Sequence, residues 1–238
     1  ALIGTDIALS AALLKLVNSP LFGLRTKATT AHQALSIIGL RASANLVTGL
    51  ILRQAFPPGA GTLMQRFWDK SGAVAAAALV AARRLPGIDP DEAHTYALFR
   101  DCGMLVMIKK FGNYARIVDK LEHTPGTQAV TLEEMNYRYS HARVGYALAR
   151  GWLLPEPFCR AILYHHDFYK VAGGSREVGP ANRKLVAFGL LTEQIAAFRS
   201  GAGLCPDWVC GEQLVLETFG ITPEEIIALA QEPEQEAD

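Results

Sequence analysis

The stretch that decides the fold is Ala97-Leu98-Phe99-Arg100-Asp101-Cys102-Gly103, an apolar run that carries an Arg-Asp pair in its middle. A carboxylate in such surroundings needs a partner, because burying an unpaired charge is costly. Asp101 is therefore either half of a structural ion pair or a ligand of a metal ion. Arg100 bears on that choice, since a guanidinium is permanently positive and has no lone pair to offer a metal.

Three histidines further along the chain could join Asp101. His141 follows Ser140, a good helix N-cap, and the positive helix end is expected to lower the pKa of its imidazole. His165 and His166 end an apolar helical stretch, and consecutive helical residues point about 100° apart, so one ring at most is expected to face inwards. Imidazole and carboxylate are common ligands of zinc, iron and manganese, although each histidine could equally be an ordinary core residue.

Several classes of function lack their sequence signature. There is no GxSxG elbow, P-loop, GxGxxG or cysteine–histidine nucleophile pattern, so no catalytic residue is predicted. The net charge is zero, with 23 basic and 23 acidic residues and no basic track, which argues against nucleic acid. No apolar run reaches the roughly 18 residues of a membrane span. The four cysteines show no zinc-ribbon spacing, and a reducing cytoplasm fits them best.

Helix signals dominate the chain, and no strand alternation is evident. Residues 9–17 carry an apolar stripe at helical spacing. Four segments look like helix starts, because a capping residue is followed by a glutamine or glutamate or by a proline at the first helical position: Thr30-Ala31-His32-Gln33, Asp89-Pro90-Asp91-Glu92, Thr131-Leu132-Glu133-Glu134 and Thr222-Pro223-Glu224-Glu225. We therefore predict an all-α fold.

Glycine- and proline-rich breaks divide the chain. They predict a helical part at residues 1–56, a larger bundle at 62–199 and a C-terminal helical extension with an acidic tail at 200–238. The first residues look as if they lie inside a helix that begins upstream, so we expect the sequence to be truncated at its N-terminal end.

Several segments together resemble the HD-related output domain (HDOD) family. They occur in family order over about residues 1–195 and include Leu13-Leu14-Lys15-Leu16-Val17-Asn18-Ser19-Pro20-Leu21-Phe22-Gly23, Thr30-Ala31-His32-Gln33-Ala34-Leu35, Phe67-Trp68, Ala97-Leu98-Phe99-Arg100-Asp101-Cys102-Gly103, His141-Ala142-Arg143-Val144-Gly145 and Tyr164-His165-His166. The resemblance implies an HD-like helical bundle at 1–199 with an N-terminal helical subdomain. It also implies a bacterial, cytoplasmic, non-catalytic signal-transduction module that acts through protein partners, without nucleic acid or membrane.

HDOD proteins resemble the HD and HD-GYP metal phosphohydrolases, whose metals lie among a histidine, a His-Asp pair, further histidines and a late aspartate. The GYP motif is absent from this chain, and the late aspartate would fall near Phe188-Gly189, where no ligand exists. The other positions fall on a vestigial pocket of Lys70 (or Ser71), Arg100, Asp101, His141, His165 and His166. The resemblance thus implies no metal and no cofactor, with Lys70 and Arg100 neutralising Asp101 in place of an ion.

Two alternatives stay open. A residual metal-dependent phosphohydrolase could act on a nucleotide or a cyclic dinucleotide, with water activated by a metal on His141, His165 and Asp101. The pocket could instead sense a phosphate-bearing ligand, held by charge-assisted hydrogen bonds from Arg100 and Lys70.

Overall fold

A computed structural model of the protein describes residues 28–59, 61–174 and 177–233. These ranges are helical and contain no strand, which confirms the all-α prediction; the apolar stripe at residues 9–17 lies outside them. None of the described helices is both long and apolar enough to cross a bilayer. In chain order the helices are α1 (Ala31–Ile38), α2 (Leu40–Ala55), α3 (Thr62–Arg84), α4 (Pro90–Phe99), α5 (Gly103–Lys110), α6 (Tyr114–Leu121), α7 (Gly126–Tyr137), α8 (His141–Gly151), α9 (Glu156–Tyr164), α10 (Phe168–Ala172), α11 (Pro180–Arg199), α12 (Trp208–Phe219) and α13 (Pro223–Gln231).

Three of the four predicted helix starts are confirmed by their caps. The Thr30 and Thr222 hydroxyls accept from backbone N–H groups three residues on, and the Asp89 carboxylate accepts from the next two free N–H groups of α4. The fourth start is wrong, because Thr131 lies inside α7 and its hydroxyl donates to the Thr127 carbonyl 2.9 Å away. Helix α7 begins instead at Gly126, directly after a proline.

The chain forms two compact units. Of the described residues, 28–57 and 233 belong to the first, with helices α1 and α2, and 58–59, 61–174 and 177–232 belong to the second. Within the second unit α11 is the central helix and packs against α3, α9, α12 and α13. The two helices of the expected C-terminal extension therefore belong to the same compact unit as the bundle.

The break between α4 and α5 sets the position of Asp101. Helix α4 ends at Phe99 and α5 begins at Gly103, so Arg100 and Asp101 lie in the turn between the two helices. Helix α5 starts against α8 with almost no space between the two backbones. A Cβ atom added at Gly103 would collide with the His141 carbonyl oxygen and would lie 2.5 Å from the Gly145 nitrogen. This close approach brings Asp101 next to His141.

The α5–α8 contact predicts a large cost for one added methyl group. Gly103→Ala should lower the free energy of unfolding by about 1–3 kcal/mol or more, because the new Cβ meets backbone that cannot move aside. Urea denaturation followed by circular dichroism measures this change.

Gly72→Ala is the matched control, since Gly72 is an exposed residue of α3 with nothing near a new Cβ. It should stabilise the protein by roughly 0.5–1 kcal/mol through helix propensity alone. Equal effects of the two substitutions would show that the helices do not approach as described.

Candidate metal centre

Four of the predicted pocket residues come together in the fold. The ligand atoms of Asp101, His141, His165 and His166 all lie within 4.8 Å of one another. His141 Nε2 is 3.3 Å from His165 Nε2, 3.0 Å from His166 Nε2 and 3.5 Å from Asp101 Oδ1. His165 Nε2 lies 3.1 Å from the same Asp101 oxygen. Residues from the α4–α5 turn, the start of α8 and the end of α9 thus build one cluster.

Both histidines of the His165-His166 pair face this cluster, so the prediction that one ring at most would do so is wrong. Helix α9 ends at Tyr164, and the two residues occupy the turn that follows. The angular spacing of a helix therefore does not apply to them, and their ring centroids lie only 3.9 Å apart. His141 and His165 are 3% and 1% exposed, so they meet in the protein interior.

Every histidine of the cluster is fixed by an acceptor on its outer side. The Nδ1 atom of each ring lies 2.6–2.7 Å from one: Glu133 Oε2 for His141, the Ile162 carbonyl for His165 and Asp207 Oδ2 for His166. Because a carbonyl and an ionised carboxylate only accept, we assign the proton of each ring to Nδ1. The Nε2 lone pairs then point into the cluster, which is how metal-binding histidines are usually oriented.

Sequence reasoning did not identify the two outer carboxylates. Glu133 is fully buried, accepts from the Tyr114 hydroxyl and also accepts from the His141 backbone N–H at 2.9 Å. Asp207 is buried too and accepts from the Gly126 N–H at the start of α7. In the sequence Glu133 was interpreted as part of the helix start at Thr131. Asp207 follows a proline in a loop and gave no signal.

The two cations of the pocket pair with a carboxylate that the sequence analysis missed. Arg100 Nη1 lies 2.8 Å from Glu193 Oε2, and Lys70 Nζ lies 2.7 Å from Glu193 Oε1. Arg100 is 2% exposed and also donates to the Gly189 carbonyl at 3.2 Å, whereas the Lys70 side chain is 58% exposed. The two cations thus form an ion-paired triad with Glu193, and the Arg100 charge also lowers the pKa of Asp101.

Glu193 lies in α11, about one turn after Phe188-Gly189, where the resemblance places the late aspartate. At Gly189 the helix backbone lies close to the arginine, since an added Cβ would be 3.1 Å from Arg100 Cδ. An aspartate there would occupy the space of the Arg100 side chain. A lone acid at position 193, inside the apolar stretch of α11, is the signal that could have identified it.

The electrostatics favour an ionised Asp101 and a neutral His165. Burial would raise the pKa of Asp101, but Arg100 and His165 outweigh it and hold that pKa well below its usual range. Burial and the neighbouring His166 lower the pKa of His165 to about 3. Burial would also lower the pKa of His141, yet the Glu133 carboxylate raises it overall, so the lowering predicted from the helix end is wrong.

A small cavity adjoins the cluster. It has a volume of about 110 Å³, and Asp101, His141 and His166 form part of its polar wall. Apolar side chains from α3, α5 and α6 line much of the remainder, including Leu63, Phe67, Met104, Ile108, Val118 and Leu121. A second cavity of about 780 Å³ shares Lys70 and Glu193 with the first but is not lined by the histidines or Asp101. The Lys70–Glu193 ion pair therefore borders both cavities.

Comparison with known proteins places the chain in a family. The model of the HDOD domain matches residues 1–168. An uncharacterised protein of Treponema pallidum (strain Nichols) is 28% identical over 176 residues; the match covers 70% of this chain and 33% of that protein, so the chain spans about a third of its relative's length.

Two solved structures have similar folds. One, from Marinobacter aquaeolei and assigned to signal transduction, is 19% identical with a TM-score of 0.70, over 96% of this chain and 50% of that chain. Another, from Shewanella amazonensis and assigned as a phosphohydrolase, is 23% identical with a TM-score of 0.66, over 95% of this chain and 77% of that chain. At identities this low, the likeness shows the fold alone. The two proteins share this fold but have different functional assignments.

The buried triad predicts a specific pattern of stability changes. Glu193→Gln should lower the free energy of unfolding of metal-free protein by about 3–5 kcal/mol, because it removes the closest carboxylate of the buried Arg100 guanidinium and leaves only Asp207 Oδ2 at 3.9 Å. The double variant Arg100→Met/Glu193→Leu should recover most of that loss, since it removes both buried charges.

Glu217→Gln serves as the control, because Glu217 pairs with Arg183 at the surface, at 3.2 Å. Exposed pairs contribute up to about 1 kcal/mol, so little change is expected. Chemical denaturation of all three variants measures the differences. A Glu193→Gln effect no larger than that of Glu217→Gln would refute a stabilising role for the triad.

Proposed function

This chain belongs to the HDOD domain family, and on that premise we propose that it is a non-catalytic signal-transduction module that acts through protein contacts in the bacterial cytoplasm. The signal-transduction assignment of a structurally similar protein supports this role. The cysteines support a reducing compartment, since Cys102, Cys159, Cys205 and Cys210 are all free thiols.

The observation that carries the proposal is the Arg100–Glu193–Lys70 triad. The resemblance to the metal phosphohydrolases implies metal-ligating histidines at Lys70 (or Ser71) and at Arg100. Here the Lys70 and Arg100 side chains are cations, and both are bound to Glu193. Two-metal hydrolysis needs one ion for the attacking oxygen and another for the leaving oxygen. A guanidinium and an ammonium cannot coordinate a metal ion, so Lys70 and Arg100 supply no ligand for the second one.

The size of the cavity supports the same proposal. Pockets that bind drug-sized ligands are usually about 300–1,000 Å³. The cavity beside the histidines is about 110 Å³, and the larger cavity of about 780 Å³ that meets it at Lys70 and Glu193 is lined by none of the four cluster residues. The phosphate-sensing alternative is disfavoured as well, because Arg100 is buried and donates to Glu193 and to the Gly189 carbonyl.

A metal-dependent phosphohydrolase is the second candidate, and the histidine–aspartate cluster is the observation that favours it. Three imidazoles and one carboxylate fit the donor set of a divalent ion, which when bound would supply a Lewis acid and acidify a water molecule. Glu133 and Asp207 would orient His141 and His166 from behind. This candidate requires that a small phosphoester reach the cluster through the 110 Å³ cavity.

Hydrolysis assays distinguish the two candidates. Protein loaded with Mn²⁺, Fe²⁺ or Zn²⁺ is incubated with a chromogenic phosphodiester, a cyclic dinucleotide and nucleoside phosphates. We expect turnover no higher than that of His165→Ala, because the second metal site is missing. His123→Ala is the matched control, since His123 is exposed and its side chain takes no part in the cluster. Turnover that persists in His123→Ala and disappears in His165→Ala would establish the enzyme instead.

Protein contacts need their own test. The chain is cross-linked in its host cells, purified under denaturing conditions and analysed by quantitative mass spectrometry. We expect one or a few cross-linked proteins to be recovered in amounts comparable to that of the chain itself. These proteins should be absent from a control in which the chain is unfolded before the cross-linker is added. Recovery of the chain with no such protein would contradict the proposed mode of action.

A further inference from the structure

We propose that Asp101, His141, His165 and His166 hold a single divalent ion of the zinc class in a four-coordinate site, and that the Arg100–Glu193 pair excludes a second ion. This inference goes beyond the signalling role and does not depend on it, since one ion can serve the fold whether or not the protein hydrolyses anything. It is the opposite of the metal-free pocket expected from positions 70 and 100, and metal content separates the two.

The distances within the cluster are those of a tetrahedral site. Zinc binds imidazole nitrogen at about 2.0–2.1 Å, so two donors of a regular tetrahedron lie roughly 3.3–3.4 Å apart. The spacings from His141 Nε2 to the other three donors are 3.0, 3.3 and 3.5 Å, and His165 Nε2 to Asp101 Oδ1 is 3.1 Å. Shifts of a few tenths of an ångström would bring all four donors to bonding distance from one central point.

The hydrogen-bond roles also call for a cation. When the three rings are neutral and each ring proton is on Nδ1, the three Nε2 atoms and the Asp101 carboxylate oxygen are all acceptors. Acceptors that face one another at 3.0–3.5 Å with no proton between them repel. A positive ion at the centre turns this repulsion into four favourable contacts. The outer hydrogen bonds to Glu133, the Ile162 carbonyl and Asp207 keep the rings in this tautomer.

The fixed charges around the cluster match one divalent ion. Asp101 belongs to the donor set, Glu133 and Asp207 bind its histidines, and Glu193 binds the two cations. These four carboxylates outnumber the permanent cations Lys70 and Arg100 by two. A buried excess of two negative charges is costly unless it is compensated. One divalent ion compensates it, whereas two ions would leave an excess of positive charge.

Arg100 limits the site to one ion. A second ion would need donors at positions 70 and 100, where the side chains are cations. The Arg100 guanidinium is buried, held by Glu193 and Gly189, and lies next to Asp101 in the chain, so it cannot leave to make room. Glu193 in turn is occupied by both cations.

The donor set selects the class of metal. Three imidazole nitrogens and one carboxylate oxygen favour zinc and its neighbours in the first transition series. Magnesium and calcium prefer oxygen donors in larger number and are disfavoured here. The ion would join the α4–α5 turn, α8 and the end of α9 directly, and α7 and α12 through Glu133 and Asp207. Metal binding should therefore raise thermal stability.

Metal content and coordination geometry test the proposal without any activity assay. The chain is purified with a tag that binds no metal, stripped with a chelator and titrated with Zn²⁺ and Co²⁺. We expect one equivalent of zinc by elemental analysis, the intense visible absorption of tetrahedral Co²⁺, and a higher melting temperature with zinc than without it. A chain that binds no ion under these conditions overturns the proposal, and so does one that binds two.

Variants show whether the named residues hold the ion. His165→Ala and Asp101→Asn should each weaken Zn²⁺ binding at least tenfold and abolish the tetrahedral Co²⁺ spectrum, while His123→Ala should keep both. Asp207→Asn should weaken binding about 10–100-fold with the spectrum retained, because it removes an orienting group and no donor. Circular dichroism confirms that each variant is folded. Full binding in both His165→Ala and Asp101→Asn would overturn the assignment of donors.

A double variant tests whether Lys70 and Arg100 limit the site to one ion. Lys70→His/Arg100→His restores imidazoles at the two positions where the related hydrolases carry them. We expect the zinc content to rise from one to two equivalents in this double variant, while Lys70→Ala stays at one. A folded double variant that still binds one ion would show that Arg100 and Lys70 are not what excludes the second.

Discussion

The buried ion pair between Arg100 and Glu193 is the constraint on which the site depends. A guanidinium with 2% exposure is tolerated only with a carboxylate beside it, and the Gly189 carbonyl accepts a further hydrogen bond. Because Arg100 comes directly before Asp101, fixing the arginine against α11 also fixes the backbone of the α4–α5 turn. The aspartate side chain is thereby directed towards the histidines and away from α11.

The outer carboxylates Glu133 and Asp207 complete the cluster in the same way from the other side. Each holds the Nδ1 atom of one histidine, and each is itself held by a donor from elsewhere in the fold: Tyr114 for Glu133 and the Gly126 N–H for Asp207. Three imidazole nitrogens therefore converge because of hydrogen bonds that lie outside the cluster. Such preorganisation lowers the cost of ordering the donors when an ion binds.

Local patterns predicted the helices well, because capping is a short-range effect. Thr30, Asp89 and Thr222 cap as expected, whereas Thr131 has the same pattern but lies inside α7. Resemblance to a family predicted which residues would meet, but their partners depend on long-range packing. Nothing near Asp207 in the sequence shows that it will bind His166, 41 residues away. The turn after Tyr164, which lets both histidines face inwards, is a tertiary feature of the same kind.

A single ion in this place suits a structural link better than a catalyst. Hydrolysis needs space for substrate at the metal, whereas the cavity here is small and all four donors of a tetrahedral ion would come from the protein. An ion with no open position stabilises whatever it connects. Here it would connect α7, α8, α9 and α12 through the histidines and their carboxylate partners. One closed metal site would hold these helices in a fixed arrangement, and the proposed signalling role would need such a defined surface for protein contacts.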